Sequence, residues 1–440
     1  MNTISEQDAE GISSISEPDL QASIQKTVWA GALGTLIEYF DYTIYAFLAT
    51  TLASLFFPSS GNLALLYTFA VFGVAFVVRP LGGIVLGAVA DQYGRKPALM
   101  LSVIGMISAT VMIGLLPTYS HIGVLAPVLL CLLRCVQGLA AGGEMGGAAA
   151  YVAEVSPDDR RGGLTSTTQI GCLFGTMGGA IAVAVLHSLT SPEQLLSWGW
   201  RIPFLISVPL GIITLIVRNR MEETREFVSL ERQGKIEKSP TLAVVRKYPR
   251  GVLSIACIGM GSMSAYYLIF TYLVTYFQKQ SIMSAQMAGW SSTLSMLIAS
   301  ASIYFWGSLS DRIGRRPVLI GATLCYITLT YPLFHVMSLS PVAAVLSQAV
   351  LGLVEAAYLS VVMATYCELF PPGVRTSGIN LGFNIAAIVA GGSSPYIATW
   401  LITNTGSATS PAWIMIAGST VSLLVALSLK ETAGRPMRTE

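Results

Sequence analysis

The chain has 440 residues, 53% of them apolar and only 11% charged, with a mean hydropathy of +0.65. A water-soluble domain carries roughly a quarter charged residues, so a soluble enzyme and a disordered scaffold are both excluded. A net charge of +2 is too weak a field for a nucleic-acid binder, and six cysteines in or beside apolar runs read as packing residues.

In chain order, residues 1–26 are polar and hold Glu6, Asp8, Glu10, Glu17 and Asp19. They lack the basic start and short apolar stretch of a cleavable signal and read as a cytoplasmic tail. A membrane-crossing helix needs about 20 apolar residues. Such runs lie near 27–56, 63–90, 98–117, 123–148, 164–188, 201–217, 251–277, 286–308, 318–337, 341–369, 377–402 and 411–429. Twelve runs predict an all-α membrane protein. Residues 218–250, with nine basic and five acidic side chains, read as a central loop, and 430–440 as a second tail. With the N-terminus inside, 21 of the 25 Lys and Arg fall on the cytoplasmic side. The positive-inside rule then places both termini in the cytoplasm.

The chain also repeats itself. Gly87-Ala-Val-Ala-Asp91-Gln-Tyr-Gly94-Arg95-Lys96-Pro97 follows span two, and Gly307-Ser-Leu-Ser-Asp311-Arg-Ile-Gly314-Arg315-Arg316-Pro317 follows span eight. They lie 220 residues apart and agree at five of eleven positions. Glu154, Pro157 and Arg161 likewise match the spacing of Glu368, Pro371 and Arg375. Such a period predicts two pseudo-symmetric six-helix bundles, 27–217 and 251–429.

These loops, repeated in both halves, resemble the major facilitator superfamily, whose fold is built from such repeats; the first copy departs from its pattern at Gln92. Gly34-Thr-Leu-Ile-Glu38-Tyr-Phe-Asp41-Tyr42, Arg79-Pro-Leu-Gly-Gly83, Arg134-Cys-Val-Gln137-Gly138, Gly142-Gly143-Glu144, Trp198-Gly-Trp-Arg201-Ile-Pro-Phe204 and Glu223-Thr-Arg-Glu-Phe227 narrow the resemblance to its metabolite:proton symporters. Members of that family move citrate, 2-oxoglutarate, shikimate, or proline and betaine together with protons. The resemblance implies a bacterial-type inner-membrane importer that works as a monomer in the bilayer, driven by the proton gradient with no cofactor. It also makes the Gly87–Asp91–Arg95 and Gly307–Asp311–Arg315 loops a latch of the outward-open state. Each Asp sits where it can cap the N-terminus of a neighbouring helix.

Charges inside hydrocarbon face a cavity or a partner. Glu38, Asp41, Arg79 and Arg134 all fall near the midplane, and Glu38 and Asp41 share a helix face at i,i+3 spacing. An Arg can fork onto a substrate carboxylate, and a buried carboxylate can carry a proton; the competing use is a static lattice that holds the bundle shut. Glu144 is a proton relay or an interhelical bond. Glu355, midway along span ten, lines the cavity or pairs with Tyr or Asn neighbours. Tyr42 and Tyr266 pack or bound the substrate, and Gln169, Asn380 and Asn384 are polar cavity candidates. Gly171, Gly175 and Gly179 in span five, and Ser291, Ser295 and Ala299 in span eight, form small-residue ladders for close helix contact. His121, His187 and His335 lack partners at ligand spacing, so no metal site is expected. No phosphate-binding glycine loop points to ATP.

The expected function is proton symport of a carboxylate-bearing metabolite by alternating access. Organic acids of the citrate or dicarboxylate kind are the expected substrate, on stretches such as Thr68-Phe-Ala-Val-Phe-Gly73 that look closest to citrate-type members. Proline/betaine uptake is the alternative, on the ending Lys430-Glu-Thr-Ala-Gly-Arg-Pro436, and an uncoupled facilitator is a further one.

Overall fold

The computed structural model describes residues 17–58 and 62–438; Glu6, Asp8 and Glu10 of the expected tail lie outside them. Span one runs Glu17–Phe47 and continues as Ala49–Phe56. Its helix starts ten residues before the expected edge at 27, and Pro18 falls in the first turn, where a missing N–H is tolerated. Spans two and three are Asn62–Tyr93 and Arg95–Leu115. Span four is Leu125–Ala141 joined through Gly142-Gly143 to Glu144–Val155, and spans five and six are Arg161–Leu189 and Arg201–Asn219. Two short helices, Arg225–Arg232 and Pro240–Lys247, cross the central loop.

Span seven comprises Pro249–Tyr266, a π-helical segment Tyr267–Tyr272 and Leu273–Lys279. Spans eight, nine and ten are Ala285–Ile313, Arg315–Met337 and Pro341–Glu368. Span eleven runs Arg375–Ala386, a second π segment Ala387–Gly392, and Ser394–Thr405; span twelve is Ala412–Ser428. Among the described residues, nine helical stretches are long and apolar enough to cross a membrane. Span twelve is apolar but has 17 residues, and span eight is diluted by Ser291, Ser292, Ser295, Ser300 and Ser302.

Backbone proximity explains which helices meet. A Cβ on Gly171 or Gly175 would come within 2.2 Å of the Ala32 or Leu36 carbonyl oxygen, so the glycine ladder of span five seats span one. Gly138 and Gly142 do the same for span four against Ala75 and Arg79 of span two. In the other bundle, Ser291 and Ser295 donate to the Gln348 side chain (2.5 Å) and backbone carbonyl (2.9 Å), fastening span eight to span ten. The bundles meet most extensively along two helix pairs, span two with eleven and span eight with five. These pairs exchange under the internal repeat. At the start of span six, Arg201 donates to the Gly114 and Leu116 carbonyls at 2.8 and 2.9 Å, capping span three, while Trp200 and Phe204 fill the core beneath Phe56.

Candidate functional site

Span one carries Glu38 and Asp41 one turn apart, and each finds a different neighbourhood. Glu38 forms a 2.6 Å ion pair with Arg79 of span two. Arg79 also donates from Nε to Asn384 Oδ1 at 3.2 Å, reaching span eleven of the other bundle. Asn384 in turn donates to the Gly142 carbonyl at 2.8 Å, and Asn380 accepts from the Gly146 N–H at 3.1 Å. The helix joint at Gly142-Gly143 is thus held by the two asparagines. Both approach because Gly83 and Gly146 have no side chain there: a Cβ on either would lie 2.4 or 2.2 Å from an Asn384 or Asn380 amide atom.

Asp41 accepts from the Thr110 hydroxyl at 2.5 Å, leaving Oδ1 without a partner. Gln137 donates to Thr110 at 2.6 Å and accepts from Arg134 at 2.9 Å. A chain of side chains therefore links the Asp41 carboxylate to the Arg134 guanidinium. Arg134 is 1% exposed, yet its Nε and one Nη have no hydrogen-bond partner, and no carboxylate among the described residues reaches ion-pair distance. Aromatic faces replace the missing anion: Tyr45 at 4.2 Å from the guanidinium carbon, and Tyr42 and Phe72 at 5.3 Å each. Glu38, Asp41, Tyr42, Met106, Arg134 and Gln137 line one small internal void.

Across the bundle interface, Tyr266 pairs its hydroxyl with Thr176 at 2.8 Å and meets the Tyr39 ring edge-on at 5.5 Å. Tyr267 stands edge-on to Phe76, and Phe76 lies beside Tyr42 at 5.1 Å. The result is a continuous aromatic wall from both bundles, starting where span seven turns π-helical.

Three expected site residues lie elsewhere. Glu144 makes interhelical bonds: it is ion-paired with Arg218 of span six and accepts from Ser102 of span three at 2.8 Å. Arg218, expected in the central loop, is fully buried in the last turn of span six. Glu355 takes bonds from Tyr326 at 2.5 Å and Ser262 at 3.2 Å inside the second bundle, so the tyrosine pairing forms. Gln169 turns to the Met145 sulfur at 3.7 Å. Sequence reasoning missed Gln137, which shares a face with Arg134 at i,i+3, and Thr110 and Thr176, single hydroxyls in apolar runs with no signal of their own.

At the expected cytoplasmic end, Asp91 accepts the backbone N–H groups of Thr376 (3.3 Å) and Ser377 (2.9 Å) at the start of span eleven. Asp311 accepts those of Gly162 (2.8 Å) and Gly163 (2.9 Å) at the start of span five. Each carboxylate caps a helix of the opposite bundle and meets its positive dipole end. Gly87 and Gly307 permit the approach: a Cβ there would lie 3.0 Å from Ser377 Cα and 2.7 Å from the Gly162 carbonyl oxygen. Arg95 bonds Asp91 and Glu154 at 2.8 Å each; Arg315 bonds Asp311 at 2.7 Å and Glu368 at 3.3 Å. The repeated Glu–Arg motifs then exchange partners, Glu154 with Arg375 at 2.7 Å and Glu368 with Arg161 at 2.9 Å. Glu223 and Glu431 complete the symmetry by accepting the first N–H groups of spans three and nine. This end of the molecule is closed by charge reciprocally shared between the bundles.

Comparison with known proteins decides the family. A model described as "Sugar (and other) transporter" matches residues 27–249, and one described as "Major Facilitator Superfamily" matches 255–439. The proline/betaine transporter of Salmonella typhimurium is 33% identical over 94% of this chain and 85% of its own length. The chain belongs to the major facilitator superfamily. The glycine betaine/proline/ectoine/pipecolic acid transporter OusA of Dickeya dadantii is also 33% identical, with the same coverage. Among solved structures, the proton:xylose symporter XylE bound to 6-bromo-6-deoxy-D-glucose superposes with a TM-score of 0.75 at 18% identity, covering 95% of this chain and 98% of that one. The inward-open form of XylE from E. coli gives 0.65 at 17% identity, covering 93% and 97%. This is a multi-pass membrane transporter, not an enzyme. The relatives do not support a citrate-like substrate.

Proposed function

We propose that this superfamily member imports a small zwitterion of the proline/betaine kind together with protons, by rocking of bundles 27–217 and 251–429 about the midplane. The observation that carries this reading is Arg134, a buried guanidinium with no anionic partner among the described residues, walled by Tyr42, Tyr45 and Phe72. One unpaired cation matches one carboxylate. Arg79 is already neutralised by Glu38, so a tricarboxylate would bring more negative charge than the site can balance. A zwitterion adds none. Its ammonium end suits the aromatic wall of Tyr39, Tyr42, Phe76, Tyr266 and Tyr267, since ring faces attract cations, quaternary ones included. The names of the relatives support the same class.

Coupling follows from the Arg134–Gln137–Thr110–Asp41 chain. An ionised Asp41 and the substrate carboxylate compete for Arg134; a proton on Asp41 releases the guanidinium to the substrate. The Asp91 and Asp311 caps, with the exchanged Glu–Arg pairs, serve as the inner gate. It opens only when both bundles tilt. We place the chain in a bacterial inner membrane, termini inside, as a working monomer. The test is uptake by the purified protein in liposomes, with citrate, 2-oxoglutarate, shikimate, proline and betaine as competitors. Betaine and proline compete in the proposed reading; competition by citrate alone overturns it.

A further inference from the structure

Away from the transport site, a cavity of about 500 Å³ opens at the start of span seven, between the Pro240–Lys247 helix, the end of span ten and the C-terminal tail. Its lining includes Arg246, Lys247, Arg250 and Arg438, together with Tyr248 and Ser254. Four cations come from two separated stretches of sequence, 246–250 and the C-terminal tail, and the lining holds no carboxylate. Glu237 lies on the exposed rim, its carboxylate 4.0 Å from Lys247 Nζ. Like charges drawn to one cavity repel in the empty state, and an anion relieves that repulsion.

The surroundings identify the kind of anion. Leu253, one helical position before Ser254, is 64% exposed on the flank of span seven, and Leu242 and Val245 stand exposed on the short helix that forms the other wall. Ala243 and Val244 of that helix are buried, so it lies flat with one apolar side inward and another facing outward. A basic hollow bordered by outward apolar side chains, at the level where a span enters the bilayer, suits a phosphate headgroup with acyl chains alongside. A soluble anion has no use for the apolar border.

We propose that this cavity binds the headgroup of an anionic phospholipid of the cytoplasmic leaflet. The inference rests on the proposed orientation and not on the choice of transport substrate. The site adjoins the inner gate. The Tyr248 ring meets Phe370 at 6.1 Å, and the Phe370 carbonyl accepts from Arg375, the cation paired with Glu154. A lipid that ties Arg246 and Arg250 to Arg438 therefore braces the gate from outside.

The test is native mass spectrometry of the delipidated full chain with phosphatidylglycerol or phosphatidylcholine added, for the wild type and for R246Q/R250Q/R438Q. Juxtamembrane cations strengthen anionic-lipid binding by about fivefold each, so the triple variant should lose about a hundredfold in phosphatidylglycerol affinity. Its phosphatidylcholine binding should not change. Lys279→Gln, at the far end of span seven, should bind as the wild type does. If the triple variant does not fold, Arg250→Gln alone, with an expected fivefold loss, takes its place. Equal retention of both lipids by the wild type, or undiminished phosphatidylglycerol binding in the variants, overturns the proposal. So does displacement of bound phosphatidylglycerol by millimolar inorganic phosphate, which would make the cavity a free-anion site. None of these readouts involves transport, so failure here leaves the substrate reading standing.

Discussion

At the scale of single residues, the two midplane arginines have been given different work by their neighbours. Arg79 is saturated by Glu38, Asn384 and the Ala141 carbonyl; Arg134 has one partner, Gln137, and two unmet nitrogens. A buried donor left unmet costs about 1–3 kcal/mol, and a substrate carboxylate recovers that energy only while bound. Replacing Arg134 by Lys keeps the charge but loses the planar fork. Betaine affinity, measured by equilibrium binding, should fall about tenfold, the value of roughly one charge-assisted hydrogen bond. Unchanged affinity would make Arg134 a point charge or a structural group. Glu355 makes a contrasting case. Its partners, Tyr326 and Ser262, are both hydroxyl donors inside the second bundle, so Glu355→Gln should leave betaine affinity within about twofold. The loss of a buried carboxyl–hydroxyl bond should appear in thermal stability instead, at about 1 kcal/mol. A selective loss of betaine binding would put Glu355 back at the site.

At the scale of elements, close backbone approach and helix capping decide how the spans sit. Span five touches span one through glycines, and the neighbour of a Gly175 Cβ is the Leu36 carbonyl oxygen at 2.2 Å, which cannot rotate away. Gly175→Ala should therefore destabilise the protein by about 3 kcal/mol. Gly73→Ala, with nothing within 4 Å, should raise stability slightly by removing helix-interior flexibility. Equal melting temperatures for the two variants in detergent would contradict the packing described. The caps carry a pH signature. Burial pushes the Glu431 carboxyl up, but bonds from the Ala433, Arg315, Arg316 and Thr432 N–H groups outweigh it and hold the carboxyl below its ordinary value. With the folded value below the unfolded one, its stabilisation is present above the unfolded pKa and fades as pH falls through the folded one. Glu431→Gln should thus lower the melting temperature at pH 7 and converge on the wild type near pH 3. A constant gap across that range would rule out the ionised cap.

At the scale of the whole molecule, much of the architecture was legible in the amino-acid sequence because membranes impose long apolar runs and the two halves repeat. The Asp91 and Asp311 loops announced themselves by recurring Gly and Asp at helix ends, and the structure places both carboxylates on helices of the opposite bundle. The π segments at Tyr267–Tyr272 and Ala387–Gly392 left no such trace, since a one-residue widening of a helix needs no special residue. Pairings between distant spans were equally hidden. Nothing local says that Glu144 meets Arg218 or that Arg79 reaches Asn384, because these contacts exist only once the bundles have closed. The expected organic-acid substrate is the reading that the relatives, named proline/betaine transporters, do not support. The organic-acid expectation rested on short stretches such as Thr68–Gly73, which carry no information on how Glu38 pairs with Arg79.

The proposal that a protonated Asp41 frees Arg134 for a zwitterion is tested most directly by betaine accumulation in liposomes under an imposed inward proton gradient, wild type against Asp41→Asn. The substitution removes a titratable group with little change in volume. Wild-type vesicles should concentrate betaine above the external level and lose that excess when the gradient is collapsed. The variant should still exchange betaine across the membrane in counterflow but accumulate none. Gradient-driven accumulation by Asp41→Asn equal to that of the wild type, or no response of the wild type to the gradient, would contradict the account.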